Sequence, residues 1–323
     1  LKPEHRKNEI LGFLQQPLGD LCISRPKERL SWGIELPFDK EYVTYVWFDA
    51  LINYITAIGY NSDEKKFSSW WPASVHLIGK DILTTHAVYW TTMLFSLELP
   101  LPKTIFAHGW WLTGDIKMSK SLGNIVNPLD LIAEYGVDPV RYYLMREMVL
   151  GQDANFTGDS FVKRYNSDLA NDFGNLLNRT SGLIGKYFDG KVPPAESLTE
   201  EDKAVVQHAE KLSQELPDYI ENFRLNEGIE EILQFVRSIN KYLEVQAPWK
   251  AAKEDLVGAG RTLHIAMEAL RISAVFLSPV MPQKTRAVLE ILGAEQSKAV
   301  WGELKAGTQL KDHEALFPRI ETK

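Results

Sequence analysis

Apolar and polar positions in the first half of the chain alternate between strand-like and helix-like patterns. The segment 42–48 is β-branched and aromatic, which predicts a strand, and 49–60 has apolar residues at helical spacing. The segment 74–80 is nearly continuously apolar, as in a strand buried on both faces, and 82–99 has the length of a helix. A further strand is predicted over 103–112. This order of elements indicates a parallel sheet, with ligands bound at the carboxyl ends of its strands.

Capping signals mark two helices after this region. Asn127 followed by Pro128 predicts a helix start, because asparagine caps an N-terminus and proline suits the first helical position. Asp138 followed by Pro139 predicts a second start of the same kind.

From about residue 159 onward the pattern is helical and contains no strand-like run. Thr199 and Asp202 have the spacing of a capping box, and Gly293 stops the last helix. Apolar residues of the first helical stretch share one face: Phe161, Leu169, Phe173, Leu176 and Leu177. We therefore predict a bundle of about five helices, beginning between 155 and 160.

Composition and charge exclude several classes of protein. The 323 residues are 45% hydrophobic and 24% charged, which allows large cores, suggests two domains and argues against disorder. No apolar run is long enough for a membrane span and no signal core is visible, so no membrane partner is expected. The single cysteine, Cys22, excludes an internal disulfide or a multi-cysteine zinc site in this chain and fits a cytoplasmic protein. A net charge of −7 argues only against a surface coated for nonspecific nucleic-acid binding.

The loop from Gly114 to Asn124 places Lys117 and Lys120 among glycines and serines. Such a loop is most often a solvated turn. The functional interpretation is an anion clamp, because two ammonium groups and closely approaching backbone N–H groups suit the pyrophosphate of a reacting ATP. The helix start predicted at Asn127 would add to the attraction for anions.

The five residues Lys117, Met118, Ser119, Lys120 and Ser121 resemble the KMSKS loop of class I aminoacyl-tRNA synthetases. In those enzymes an amino-acid carboxylate attacks the α-phosphate of ATP, with Mg²⁺ as counter-ion, and pyrophosphate leaves. The resemblance implies that all five residues bind ATP. It also implies that Lys117 and Lys120 are catalytic, because they stabilise the charge of the departing group.

The end of the predicted strand 74–80 carries a second candidate for ATP binding. Asp81 suits the N-cap of the next helix. The resemblance to class I synthetases implies that Gly79 and Asp81 bind ATP, with Asp81 accepting a hydrogen bond from the ribose. Both roles are compatible.

Aromatic residues at helical spacing are candidates for an amino-acid pocket. Trp47 and Tyr54 are seven residues apart, and His86 and Trp90 are four apart, so each pair shares a helix face. Such residues usually belong to a core, but a buried histidine needs partners for its ring nitrogens. An unbranched side chain with a sulfur would suit them, since thioethers pack well on aromatic edges. The predicted lining is Trp47, Ala50, Leu51, Tyr54, His86 and Trp90.

Four segments, 45–60, 76–90, 106–124 and 151–156, resemble the bacterial methionyl-tRNA synthetase family, and the likeness covers essentially the whole chain. The resemblance implies that the six pocket residues bind L-methionine. It implies activation of methionine to methionyl-adenylate and transfer to tRNA(Met), including initiator tRNA. Leu51 stands where some members have proline, an apolar exchange of small expected effect.

The helical half carries candidates for RNA recognition. Asn175 and Arg179 are four residues apart, and Trp249 follows Ala247-Pro248. A solvated polar face and a helix-start aromatic are the ordinary interpretations. The functional interpretation is binding of single-stranded RNA, because an aromatic plane stacks a base while Asn and Arg read its edges. The family resemblance implies that Asn175, Arg179 and Trp249 bind the CAU anticodon.

The resemblance predicts an α/β plus all-α fold, in which the C-terminal part of a Rossmann-like parallel-sheet catalytic domain precedes an α-helical bundle. The predicted parts are the end of a connecting insertion (1–40), the second half of the catalytic domain (41–107), a KMSKS-loop and stem-contact region (108–158) and an anticodon-binding domain (159–323).

Two parts of the family pattern are missing from this sequence. It has no His-x-Gly-His segment and no cysteine cluster of the zinc-binding kind. We expect zinc only in an absent upstream segment, and little catalysis by this chain until an N-terminal segment or subunit completes its active site. Two rivals remain open: another class I synthetase, for isoleucine, leucine, valine or cysteine, and a non-catalytic tRNA-binding fragment.

Overall fold

The structure, a computed structural model, describes residues 1–296 and 298–321, without the side chain of Lys120. It divides into two compact units. The first consists of Leu1–Trp110 and Gly151–Asp153, and the second of Trp111–Leu150 and Ala154–Lys323. The four functional parts predicted from the sequence remain a prediction.

The strands of the first unit form a parallel pair and a small antiparallel sheet. The parallel pair confirms that the predicted strands 74–80 and 103–112 pair in parallel, and a helical stretch connects them. In the antiparallel sheet the longest strand lies between two shorter ones. In chain order the strands are β1 (Ser24–Pro26), β2 (Glu35–Leu36), β3 (Asp39–Thr44), β4 (Val75–Gly79) and β5 (Thr104–His108).

The first unit also contains several helical elements. Lys80–Ile82 is a 3₁₀ turn and Thr85–Trp90 is π-helical, so the helix predicted over 82–99 is irregular. The α-helices are α1 (Glu4–Leu14), α2 (Val46–Thr56), α3 (Glu64–Trp70) and α4 (Thr91–Ser96).

The predicted strand over 42–48 is wrong beyond Thr44. Tyr45 is extended, and α2 begins at Val46. Leu51 and Ile55 on α2 are buried, and this packing overrides the β preference of the aromatic residues before them. Trp47 therefore lies in the first turn of a helix.

Two further strand predictions need correction. β4 is buried on one face only, because His76 and Ile78 point inward while Leu77 is 58% exposed. Among the described residues β4 pairs with β5 alone. The strand predicted over 103–112 is interrupted at Gly109, where the backbone of Gln152 passes so close that a Cβ would lie 2.1 Å from its carbonyl oxygen.

The second unit contains a small three-stranded sheet and a helical bundle. The strands are β6 (Trp111–Thr113), β7 (Ile116–Lys117) and β8 (Ala154–Asn155), with β6 in the centre. Tyr165–Gly174 is π-helical and joins two α-helices. The α-helices are α5 (Pro128–Tyr135), α6 (Val137–Glu147), α7 (Gly158–Arg164), α8 (Asn175–Phe188), α9 (Glu200–Glu221), α10 (Leu225–Gln246), α11 (Pro248–Ala251), α12 (Leu256–Leu277) and α13 (Pro282–Ile291).

The capping predictions have mixed outcomes. The Asn127 side chain accepts from the N–H of Leu129, and the capping box of Thr199 and Asp202 is present, so both are confirmed. Asp138 is not a cap. Helix α6 follows Gly136, and the buried Asp138 carboxylate instead accepts the N–H of Lys284 at 2.6 Å.

The core of the second unit lies around α12, which is buried over most of its surface. Its Glu268 and Arg271 side chains pair with each other and are both 0% exposed. Arg271 donates to the carbonyls of Lys298 and Val300, which fixes the C-terminal segment on the bundle. The predicted shared face is confirmed, since all its members are buried: Phe161, Leu169, Phe173, Leu176 and Leu177. None of the helices in the described ranges is long and apolar enough to cross a bilayer.

Candidate functional site

The predicted amino-acid pocket is a cavity of about 540 Å³ in the first unit. Helix α2 and the π-helical segment supply its walls. Five of the six predicted residues line it, and Trp90 does not. Trp90 is 0% exposed and lies behind the cavity, with its ring centre 5.8 Å from that of Tyr54. The lining residues predicted from the sequence are Trp47, Ala50, Leu51, Tyr54 and His86.

A hydrogen-bonded chain fixes the polar groups of the cavity. His86 Nδ1 lies 3.0 Å from the carbonyl oxygen of Ile82, which can only accept, so Nδ1 carries the proton. Nε2 then accepts from the Tyr54 hydroxyl at 3.0 Å. Burial lowers the pKa of His86, which keeps the ring neutral. Both ring nitrogens are occupied in this arrangement, so the imidazole orients Tyr54, whose oxygen lone pairs remain available.

His76 on β4 is a residue of this site that the sequence analysis missed. It is 5% exposed, and Trp90 Nε1 donates to its Nε2 at 3.2 Å. Its ring centre is 4.4 Å from that of Tyr54. Burial, with a smaller effect of the nearby His86, lowers the pKa of His76 to about 4. The signal available in the sequence was its alternation with Ile78 on the buried face of a strand.

Gly79 is the last residue of β4 in the first unit, and Asp81 follows two residues later. Asp81 lies in the 3₁₀ turn and does not cap a helix, so the structural role considered for it is not observed. Its exposed carboxylate accepts from the indole Nε1 of Trp110 at 3.3 Å. A Cβ on residue 79 would lie 2.6 Å from Asp81 Oδ1, so glycine gives this carboxylate its room.

The lysine loop belongs to the second unit and is closed by side chains. Asn124 Oδ1 accepts from the N–H of Ser119 at 2.9 Å, and its amide donates to the Lys117 carbonyl at 3.4 Å. Met118 is partly buried against the core of the unit, which anchors the loop by an apolar contact. The side chain of Lys120 lies outside what the structure describes. Ser119 Oγ accepts from the N–H of Leu122, so the backbone that carries Lys120 is folded, whereas Lys117 ends the strand β7.

The turn that begins this loop is also fixed. Gly114 and Asp115 both have positive φ, as the two central residues of a tight hairpin turn require. The N–H of Asp115 donates to Asn155 Oδ1 at 3.3 Å, and the Asn155 amide donates back to the Asp115 carboxylate. The loop is therefore held at both of its ends.

The predicted RNA-binding residues of the second unit come together on α8 and α11. The Arg179 guanidinium lies 4.5 Å from the ring centre of Trp249, a cation–π contact. Asn175 is exposed one helical turn before Arg179. Arg179 also lies 3.9 Å from the Glu244 carboxylate, and the Tyr187 hydroxyl donates to the Trp249 carbonyl. The side chains thus offer an aromatic plane beside a cation and an amide.

Comparison with known families identifies this combination. Residues 2–181 match the family model described as "tRNA synthetases class I (M)". Residues 192–323 match the model "Anticodon binding domain of methionyl tRNA ligase". The chain belongs to the methionyl-tRNA synthetase family.

Individual relatives agree with this assignment. Over 329 residues the chain is 43% identical to the methionine–tRNA ligase of Caldanaerobacter subterraneus subsp. tengcongensis. This match covers 99% of this chain and 51% of that protein. It is 44% identical to the Bacillus subtilis methionine–tRNA ligase over 99% of this chain and 50% of that one. The chain spans about half the length of these curated relatives.

A solved structure confirms the predicted fold class. The methionyl-tRNA synthetase of Mycobacterium tuberculosis, in complex with methionyl-adenylate, superposes with a TM-score of 0.94 at 39% identity. The match covers 98% of this chain and 64% of that one. The prediction of a Rossmann-like catalytic part followed by a helical bundle is therefore correct, as is the resemblance to methionyl-tRNA synthetases.

Proposed function

We propose that this chain supplies the methionine pocket, the KMSKS loop and the anticodon site of a cytoplasmic methionine–tRNA ligase. The enzyme activates L-methionine with ATP and transfers the methionyl group to tRNA(Met), including initiator tRNA. The observation that carries the proposal is the aromatic cavity with the oriented Tyr54–His86 pair, because it suits a long apolar side chain with a weakly polar sulfur.

Methionine binding follows from the shape and polarity of the cavity. The Trp47 and His86 rings meet edge to face with centres 6.4 Å apart, so the cavity has an aromatic edge against which a thioether packs. The Tyr54 proton is donated to His86, so Tyr54 has no further proton to donate to a polar group of a competing side chain without breaking that bond. β-Branched isoleucine and valine have no sulfur and a different shape, so shape and sulfur contact supply the selectivity.

Adenylate formation uses the ends of the strands and the lysine loop. Asp81 accepts a hydrogen bond from the ribose, and Gly79 leaves room for it. Lys117 and Lys120 neutralise the pyrophosphate as it leaves with Mg²⁺. Ser119, Ser121 and the Met118 backbone shape the loop, and the Met118 side chain anchors it. Loss of one such donor costs about 2.7–4 kcal/mol in the barrier.

Transfer requires recognition of tRNA(Met) by the bundle. Trp249 stacks on a splayed anticodon base, and base stacking of this kind is worth about 1–3 kcal/mol. Arg179 and Asn175 hydrogen-bond the base edges of CAU. We also propose that the chain alone catalyses little, and that further polypeptide completes the nucleotide site, as its match to only half of its relatives' length supports.

The amino-acid dependence of ATP–pyrophosphate exchange by the intact protein tests the proposal. Methionine should support exchange, whereas isoleucine, leucine, valine and cysteine should not.

Tyr54→Phe should raise the KM for methionine, because His86 loses its donor and the cavity loses the oriented hydroxyl oxygen. Tyr60→Phe is the matched control, since Tyr60 packs on Phe67 outside the cavity lining. Exchange driven by isoleucine and not by methionine would contradict the assignment, and tRNA binding without any exchange would favour a non-catalytic module.

A further inference from the structure

Three residues of the segment 151–156 belong to the first unit, although the residues on both sides belong to the second. They lie against the carboxyl end of β5. Gly109 makes this approach possible, because a Cβ there would meet the Gln152 carbonyl at 2.1 Å. Gly151 has a φ of +102°, which favours glycine. The chain thus uses two glycines to bring Asp153 beside the strand ends.

Asp153 uses both of its carboxylate oxygens there. Oδ1 accepts from the backbone N–H of Trp110 at 2.8 Å, and Oδ2 pairs with Lys80 Nζ at 2.7 Å. These two donors lower the pKa of Asp153, so the carboxylate is charged. One side chain therefore ties together the residues that follow β4 and β5.

The two residues held by Asp153 also contact each other and Asp81. The Lys80 ammonium lies 4.2 Å from the ring centre of Trp110, on its face. The indole N–H of that tryptophan donates to Asp81 Oδ1 at 3.3 Å. Asp153 thus contacts both Trp110 and Lys80, and Trp110 in turn contacts Asp81. Asp81 is the carboxylate assigned above to the ATP ribose.

We propose that Asp153 is a positioning residue for ATP, which holds Trp110 and Lys80 so that Asp81 presents its carboxylate to the ribose. This role rests on the proposed function of Asp81. Holding Lys80 has a second effect, because Lys80 precedes Asp81 in the chain and its ammonium, once released, can pair with the Asp81 carboxylate. Asp153 thereby keeps the ribose acceptor from being neutralised by its neighbour.

The test uses methionine-dependent pyrophosphate exchange by the intact protein with ATP and with 2′,3′-dideoxy-ATP, which lacks both ribose hydroxyls. Asp153→Ala should raise the KM for ATP about tenfold, as expected for a lost charge-assisted contact, and leave the KM for methionine within about twofold. The KM for dideoxy-ATP should change far less. The preference for ATP over dideoxy-ATP should therefore fall, and it should fall in Asp81→Ala as well. Asp159→Ala, an exposed aspartate in the first turn of α7, is the control and should behave as wild type.

Two further variants separate positioning from folding. Asp153→Asn keeps an acceptor for Trp110 but loses the charge for Lys80, so its preference for ATP should be intermediate. Combining Asp153→Ala with Lys80→Met removes the competing cation and should restore part of that preference. If Asp153→Ala raises the KM for ATP and the KM for dideoxy-ATP equally, or raises neither, the inference is overturned. The proposed function would still stand in that case. A wild-type protein without methionine-dependent exchange overturns both.

Discussion

Acidification should destabilise the first unit through the buried imidazole of His76. In the folded unit burial holds the pKa of His76 at about 4, against an ordinary value of 6.5. Between these values the unfolded chain binds more protons than the folded one, so stability must rise with pH. The contribution of the neutral His76 ring to the stability of the first unit is complete above about pH 6.5 and is lost as the pH falls toward 4.

The size of the effect follows from the same displacement. A pKa lowered from 6.5 to about 4 corresponds to about 3 kcal/mol in the free energy of unfolding. About 2 kcal/mol of this is lost between about pH 7.5 and about pH 5. His86, whose pKa is also lowered, acts in the same direction.

Urea unfolding at these two pH values measures the loss. The ¹⁹F signal of fluorotryptophan at position 90 reports on the first unit, because Trp90 is buried against His76. His76→Gln offers an acceptor to the Trp90 indole but cannot become charged, so most of the pH dependence should disappear. His5→Gln, on the exposed surface of α1, should retain the wild-type dependence. A His76→Gln protein with an undiminished pH dependence would refute the reasoning.

Two further predictions concern the second unit. Lys117→Ala should slow methionyl-adenylate formation about 100- to 1000-fold in stopped-flow measurements, with the KM for methionine unchanged; an unaltered rate would remove the lysine loop from the chemistry. Trp249→Ala should weaken binding of a CAU anticodon stem-loop by about 1–3 kcal/mol in fluorescence anisotropy, whereas Trp301→Ala should not. Equal losses in both tryptophan variants would show that Trp249 has no particular role in anticodon binding.

Local signals in the sequence predicted much of the fold. Helical periodicity placed Phe161, Leu169 and Leu177 on one buried face, although a π-helical stretch intervenes between α7 and α8. The capping box of Thr199 and Asp202 was visible because both partners lie within four residues. Such features depend only on residues that are close together in the sequence, so the local sequence is enough to predict them.

The grouping of several candidate pocket residues around one cavity could be predicted for the same reason, although their role in binding stays a prediction. Trp47, Tyr54 and His86 were found by spacing and family resemblance, and they line one cavity. Trp90 was assigned to the lining but lies behind it. His76 escaped notice because its burial depends on Trp90 and Tyr54, which come from other elements. A histidine in an apolar strand does not show by itself which partners satisfy its ring nitrogens.

Long-range contacts account for what remained hidden. Asp153 and Lys80 are 73 residues apart in the chain, and no periodicity connects them. Asp138 matched the pattern of a cap, but its carboxylate binds the N–H of Lys284, 146 residues away. In both cases the tertiary partner decides the role of the side chain, and the local pattern is either silent or misleading.

The location of a bound selenium atom tests the central claim most directly. A crystal of the intact, unlabelled protein soaked with L-selenomethionine contains selenium only in the ligand, so anomalous diffraction locates its side chain. The account predicts one peak inside the cavity between α2 and the π-helical segment, in contact with Tyr54 and Trp47. A peak elsewhere, with this cavity empty, would contradict it.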